Sequence, residues 1–322
     1  MTTTKTIVRE HEADLVVREV QVAADGVVAL TLAAPDGAGL PPWTPGAHID
    51  LILNDTTTRQ YSLCSNPADP GRWRVGVLRA ADSRGGSELA HGLAEGAEIR
   101  IRGPRNHFPL VASPRYLFIA GGIGITPILP MIAEAEAAGA DWRLLYGGRE
   151  RATMAFLDEL APYGDRVTLA PQNEFGPLDL AAVLGTPQAD TLVYCCGPEG
   201  LLAAVEEFCA DWPACALHLE RFAPKPVEPD GVPESSFELV LERSGLTLTV
   251  PPDKSVYEVV KEAGVSVLAS CLEGVCGTCE TEVIDGDVDH RDSVLNDEEK
   301  ATNEFMMICV SRCKSPRLTL DL

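Results

Sequence analysis

Four cysteines near the carboxyl end constrain this chain more tightly than any other feature. Cys271, Cys276 and Cys279 stand in a C-x4-C-x2-C run, and Cys309 completes the set after 29 intervening residues. That spacing is the plant-type ligand pattern for a [2Fe-2S] cluster. A short loop can wrap three thiolates around such a centre only if its backbone turns sharply and its N–H groups face sulfur, and Gly274 and Gly277 permit both. A zinc site is the competing assignment, but it would more usually show two C-x2-C pairs or histidine partners. Cys313, four residues beyond Cys309, is a second candidate for the fourth ligand.

Composition matters here through redox chemistry and charge. Ten cysteines in a chain whose first ten residues lack the apolar core of a secretory signal imply a reducing, cytoplasmic setting, where metal binding is a better expectation than disulfides. No apolar run is long enough to span a bilayer. A formal charge of -22 argues against nucleic-acid binding and for an acidic surface facing a basic partner, although solubility alone also accounts for it.

At 322 residues the chain suits three domains. Up to about Leu110, short alternating segments (Leu15 to Val22, Val27 to Ala33, His48 to Leu53, Arg59 to Leu63, Trp73 to Leu78, Glu98 to Arg102) are separated by turn markers such as Asp69-Pro70-Gly71. They predict a small antiparallel β-barrel. From Tyr116, apolar strands alternate with helical stretches beginning near Pro127, Phe156 and Gly200, the pattern of an α/β domain with a parallel sheet. The proline-rich residues 225–234 read as a linker, and residues 235–322 as a small α+β domain carrying the cysteine loop. The expected boundaries are therefore 1–112, 113–224, 225–234 and 235–322.

Three further motifs carry chemistry. Arg59-Gln60-Tyr61-Ser62 ends a barrel strand. Arg84-Gly85-Gly86-Ser87 precedes a helix expected over Glu88 to Leu93, so its N–H groups could hold a phosphate, while a glycine turn with an N-cap serine is the plainer alternative. Gly121-Gly122-Ile-Gly124-Ile-Thr126-Pro127 follows a buried strand and opens a helix, the context in which glycines let a pyrophosphate approach a helix N-terminus. Cys196-Gly197-Pro198 ends another buried strand, and His218-Leu-Glu220-Arg-Phe222 stands just before the linker.

Taken together, these motifs and their order resemble the phthalate dioxygenase reductase family, including the vanillate demethylase reductases, within the ferredoxin reductase superfamily. The resemblance covers essentially the whole chain. It implies a multidomain fold: an antiparallel β-barrel flavin domain, an α/β parallel-sheet nucleotide domain, and a β-grasp-like ferredoxin domain. By the same resemblance, Arg59 meets a flavin phosphate, Gln60 and Tyr61 lie along the flavin, and Ser62 approaches its reactive edge. Arg84, Gly85, Gly86 and Ser87 complete the phosphate site. Gly121, Gly122, Gly124, Thr126, Pro127, Gly197 and Pro198 hold the nicotinamide cofactor beside Cys196. Glu220 lies near the hydride path and Phe222 covers the flavin. Ser62, Cys196, Glu220 and Phe222 are thus the expected catalytic set, and Cys271, Cys276, Cys279 and Cys309 the metal ligands. FMN is implied, with FAD the alternative, and NADH is implied as donor. The implied partner is an oxygenase, either a Rieske non-haem iron enzyme or a cytochrome P450, with neither nucleic acid nor membrane involved and a monomer the expected state. A stand-alone flavin reductase, or an FAD-containing electron-transfer reductase for another acceptor, is the alternative function.

Overall fold

Strand β1 (Glu12–Ala24) buries Leu15 and Val17 on one face while Val16 between them stays more open, the period-two signature of a half-buried strand. The computed structural model describes residues 11–80, 85–225 and 235–322. The expected linker 225–234 therefore lies outside the described residues apart from Lys225, as does Arg84 of the expected phosphate turn. The chain divides into two compact units, one ending at Glu220 and one beginning at Arg221.

In the first unit β1 is followed by β2 (Val27–Ala33), β3 (His48–Asn54), β4 (Thr57–Ser62), β5 (Trp73–Leu78), α1 (Gly86–His91) and β6 (Glu98–Arg105). The strands order as β4-β3-β6-β1-β2-β5. The two edges meet through the antiparallel bridge between Leu63 and Val75, where the Cys64 N–H donates to the Arg74 carbonyl at 2.8 Å, so the sheet closes as a barrel. Its interior is filled by Leu30, Ile49, Leu51, Trp73, Val75 and Ile101 among others.

Helix α1 starts two residues earlier than the sequence suggests. Gly85, at φ 85°, turns the chain directly into it, and the Ser87 hydroxyl accepts from the Ala80 N–H at 3.2 Å instead of capping the helix. A left-handed turn at glycine thus supplies the entry that a serine cap would otherwise have made.

The chain then forms β7 (Arg115–Gly121), α2 (Ile125–Ala137), β8 (Asp141–Gly148), α3 (Leu157–Leu160), β9 (Val167–Pro171), α4 (Gln172–Phe175), α5 (Leu180–Leu184), β10 (Thr191–Cys196), α6 (Glu199–Phe208) and β11 (Leu217–Glu220). All pairings in the sheet β11-β10-β7-β8-β9 are parallel. Successive residues of the buried central strand β7 face opposite cores. Tyr116, Phe118 and Ala120 join α2 and the barrel residues Val27, Ala29 and Phe108. Leu117 and Ile119 join α5 and α6. Strand order reverses between β7 and β10, the point where open α/β sheets receive ligands at the strands' carboxyl ends.

The second unit contains β12 (Phe237–Leu241), β13 (Leu246–Val250), α7 (Val256–Glu262), β14 (Glu280–Asp285), β15 (Val288–Asp289), α8 (Asp297–Thr302), β16 (Phe305–Met307), β17 (Arg312–Cys313) and β18 (Arg317–Leu320). A mixed sheet, β13-β12-β18-β14-β16, packs on α7, and β15 pairs with β17. Both helices open on a reciprocal capping box, Ser255 with Glu258 and Asn296 with Glu299, each satisfying two otherwise orphaned N–H groups. Among the described residues no helix is long and apolar enough to cross a membrane.

Candidate redox sites

The parallel register of β10 and β11 sets Tyr194 beside His218 and Cys196 beside Glu220, so these four residues share the sheet face turned toward the barrel. Ser62, at the end of β4, reaches the same place. The Ser62 hydroxyl is buried without a hydrogen-bond partner, and so is Oε2 of Glu220. The two side chains are close enough for Ser62 to favour the ionised carboxylate slightly, yet neither Ser62 Oγ nor Glu220 Oε2 makes a hydrogen bond of good geometry. Burial dominates and pushes the Glu220 carboxyl up to about 8. Cys196 is also fully buried, and burial, then the neighbouring Glu220 and Cys195, raise its thiol well above the ordinary range. It is therefore a neutral, packed sulfur rather than a nucleophile.

The two glycine motifs approach each other at this edge. A Cβ on Gly124 would fall 2.2 Å from the Cys196 carbonyl oxygen, so only glycine lets the turn after β7 lie against the end of β10. Gly121 packs on Pro198 and Leu201 in the same way. Thr126 is buried, its hydroxyl donating to the Ile123 carbonyl at 3.0 Å, and Pro127 lies in the first turn of α2. A backbone cradle that a side chain would fill, at a strand-order reversal, fits a dinucleotide pyrophosphate.

On the barrel, the stem of Arg59 lies across Gly86, where a Cβ would come within 2.5 Å of Arg59 Cγ. The arginine of β4 and the glycine turn before α1 are thus neighbours, and a guanidinium beside exposed backbone N–H groups fits a phosphate. Tyr61 packs against the barrel core, and burial pushes its hydroxyl up to about 12. Gln60 turns to the next strand, donating through Nε2 to the buried Asp50 at 2.8 Å. Asp50 in turn receives Arg105 at 2.5 Å.

Sequence reasoning passed over Asp50, Tyr194 and His218. His218 stacks on Tyr194 with ring centroids 4.4 Å apart, its Nε2 lacks a hydrogen-bond partner, and burial depresses its basicity. The Tyr194 hydroxyl accepts from the Val111 N–H at 2.8 Å and donates to the Pro109 carbonyl at 3.1 Å, fastening the segment that leaves the barrel. The only signal for His218 was its two-residue spacing from Glu220, which becomes meaningful once both are known to lie on one strand. Phe222 is 44% exposed and belongs to the second unit.

In the second unit Cys271, Cys276, Cys279 and Cys309 are all buried and none forms a disulfide. Their thiols lie in mutual contact, Cys276 with Cys271, and Cys309 with both Cys271 and Cys279. The Cys276 thiol is raised chiefly by Cys271 and then by burial. Cys309 is drawn down by Cys271 but driven up by Cys279 and burial, to about 12. Crowding thus keeps Cys276 and Cys309 protonated in the absence of a ligand, and a cationic centre is what would hold cysteines as thiolates.

The loop backbone follows the same logic. Leu272, Gly274 and Gly277 have φ of 58°, 70° and 71°, and the Glu273 N–H donates to Cys271 Sγ at 3.4 Å. A Cβ on Gly274 would lie 2.6 Å from Val310 Cγ2 and 3.1 Å from Asp292 Cα, so the loop closes directly on the turn bearing Cys309. Asp292 holds that neighbourhood through hydrogen bonds from the Val294 and Leu295 N–H groups. Cys313 sits apart on β17, its sulfur 3.1 Å from Ser315 Oγ and 3.5 Å from the Arg317 carbonyl.

Comparison with known proteins agrees with this arrangement. Residues 239–314 match the 2Fe-2S iron-sulfur cluster binding domain family. Phenoxybenzoate dioxygenase subunit beta of Ectopseudomonas oleovorans is 44% identical over 309 residues, covering 95% of this chain and 96% of that protein. The crystal structure of phthalate dioxygenase reductase, described as a modular structure for electron transfer from pyridine nucleotides to [2Fe-2S], superposes with a TM-score of 0.71 at 34% identity, covering 97% of this chain and 98% of that one. An intact type IV self-sufficient cytochrome P450 monooxygenase contains a region matching 97% of this chain at 43% identity and a TM-score of 0.91, which is 41% of that longer polypeptide.

Proposed function

The chain belongs to the phthalate dioxygenase reductase family, and on that premise we propose that it is the reductase component of a multicomponent oxygenase, taking hydride from NADH onto FMN and passing single electrons through a [2Fe-2S] cluster to a Rieske oxygenase or a cytochrome P450. The observation that carries this is the meeting of a buried hydroxyl and a buried carboxyl, Ser62 Oγ and Glu220 Oε2, both short of a partner beside the glycine turn. Unsatisfied buried polar atoms are costly, and a polar ring system bound between them would relieve that cost. When bound, the flavin accepts two electrons as hydride and releases them singly, and the bridged di-iron centre carries one at a time.

The chain's own groups bind, orient and hold protons. Arg59, Gly85, Gly86 and Ser87 hold the flavin phosphate, joined by Arg84. Gln60 and Tyr61 border the flavin. Gly121, Gly122, Gly124, Thr126, Pro127, Gly197 and Pro198 hold the dinucleotide. Burial pushes Glu220 up to about 8, so it favours its protonated form at neutral pH and presents a neutral carboxyl to the hydride path. Cys196 stays protonated and fills the wall beside it. Cys271, Cys276, Cys279 and Cys309 ligate the cluster. The domains run 1–112, 113–224 and 235–322, and the cytoplasm is the compartment in which cysteines outside disulfides stay reduced. Residues 235–322 hold 17 Asp and Glu against 8 Lys and Arg, which suits an oxygenase presenting a basic docking face.

Flavin released by denaturation and identified by chromatography should be FMN, and FAD would correct that part alone. NADH should support reduction of both ferricyanide and cytochrome c, and Cys276→Ala should abolish only the second. A flavin-free protein, or one holding zinc without iron and sulfide, refutes the proposal.

A further inference from the structure

At Gly76 the barrel meets residues of the parallel-sheet side with no side chain of its own between. Gly76, on β5, offers no side chain, and a Cβ there would lie 2.8 Å from Thr126 Cγ2 and 3.3 Å from Phe156 Cε2 and Cζ. Thr126 belongs to the glycine-rich turn, two residues after the Gly124 that packs against Cys196. With its hydroxyl engaged by the Ile123 carbonyl, Thr126 turns its methyl to the barrel.

Phe156 enters this contact from a left-handed conformation, φ 63° and ψ 26°, which a bulky residue adopts only where surrounding packing holds it there. That packing includes Arg74, two residues before Gly76 on β5. Its guanidinium lies 4.9 Å from the Phe156 ring centre, pairs with Glu159 through contacts of 2.7 and 2.8 Å, and donates to the Cys64 carbonyl at 2.7 Å. A ring and a methyl from the parallel-sheet side, the ring held beneath the β5 cation Arg74, are thus seated around a bare patch of β5, and the residue pairing with Gly76 on β2 is the small Ala29.

We propose that Gly76, Thr126 and Phe156 form an interlock that sets the distance between the barrel carrying Ser62 and the turn that receives the nicotinamide cofactor, with the Thr126 methyl as spacer and Gly76 as its seat. These are positioning residues: they act by placing donor against flavin. The inference rests on the proposed hydride transfer from NADH, whose rate is steeply sensitive to sub-ångström placement.

Suppression of one substitution by another tests it. Gly76→Ala inserts a Cβ against the Thr126 methyl, and Thr126→Ser removes that methyl while keeping the hydroxyl. In anaerobic stopped-flow measurements at saturating NADH, Gly76→Ala should bleach the flavin at least about tenfold more slowly, with the apparent NADH affinity changed less than about threefold. Thr126→Ser alone gives the reference rate, and Gly76→Ala with Thr126→Ser should recover to within about threefold of that reference. If Gly76→Ala prevents folding, the same second substitution must restore a folded, reducible protein. A Gly76→Ala rate equal to wild type, or a double variant no better than Gly76→Ala, overturns the interlock. Failure of the wild type to bleach with NADH would instead strike the proposed function, and urea unfolding of the same variants, which needs no NADH, would still decide: the interlock requires the two substitutions to be strongly non-additive.

Discussion

Replacing Glu220 with glutamine should make the first unit's stability markedly less sensitive to pH between about 5 and 8. The carboxyl is displaced from an ordinary 4.5 to about 8 because folding strips it of water and returns only a weak interaction with Ser62. In the unfolded chain it ionises near 4.5, while in the folded chain it holds its proton until about 8, so across that window the folded state binds more protons and loses stability as pH rises. At about 1.4 kcal/mol per pH unit the full displacement corresponds to about 5 kcal/mol, of which about 3 kcal/mol falls between pH 5 and 8. Glutamine carries no charge and lacks this dependence. Urea unfolding of wild type and Glu220→Gln, followed by a signal from the first unit at several pH values, should therefore show two stability curves that converge near pH 5 and separate by about 3 kcal/mol at pH 8, the variant being the more stable. Parallel curves would mean that Glu220 is solvated or paired in solution, and the neutral-carboxyl account of the site would fall with it.

Other outcomes follow from single residues. Cys309→Ala should abolish the cluster's EPR signal whereas Cys313→Ala should leave it intact, since only Cys309 lies among the other three thiols. Gly274→Ala places a side chain at φ 70° and against Val310, so the second unit should lose at least about 1 to 2 kcal/mol and retain less iron on purification. Arg59→Ala should weaken flavin retention at least about tenfold, measured by fluorescence of flavin released on dilution, while leaving the EPR signal unchanged.

Much of this architecture was written locally. The period-two pattern of Leu15 and Val17, the buried run Tyr116 to Ala120 leading into glycines, and the cysteine spacing each depend on residues close together in sequence, and each appears where local patterning placed it. Helix starts were less legible: the capping boxes at Ser255 and Asn296 follow the S/N-x-x-E pattern, but α1 begins at a glycine in a left-handed turn, which no cap residue announces. Barrel closure through Leu63 and Val75, the stacking of His218 on Tyr194 and the seating of Thr126 on Gly76 join residues far apart along the chain. Their sequence traces are only a leucine, a histidine and a glycine in ordinary strand positions. Motif resemblance could nominate Ser62, Cys196 and Glu220, yet the raised pKa of Glu220 arises from burial that exists only once three strands have converged.

The central claim, a flavin and a one-electron iron-sulfur centre filled by the same donor, is tested most directly by anaerobic titration with NADH under combined optical and EPR observation. Two electrons for the flavin and one for the cluster require about one and a half NADH per chain at the end point, with an EPR signal from reduced [2Fe-2S] growing as the flavin bleaches. An end point at about one NADH with no such signal, or no bleaching at all, would contradict it.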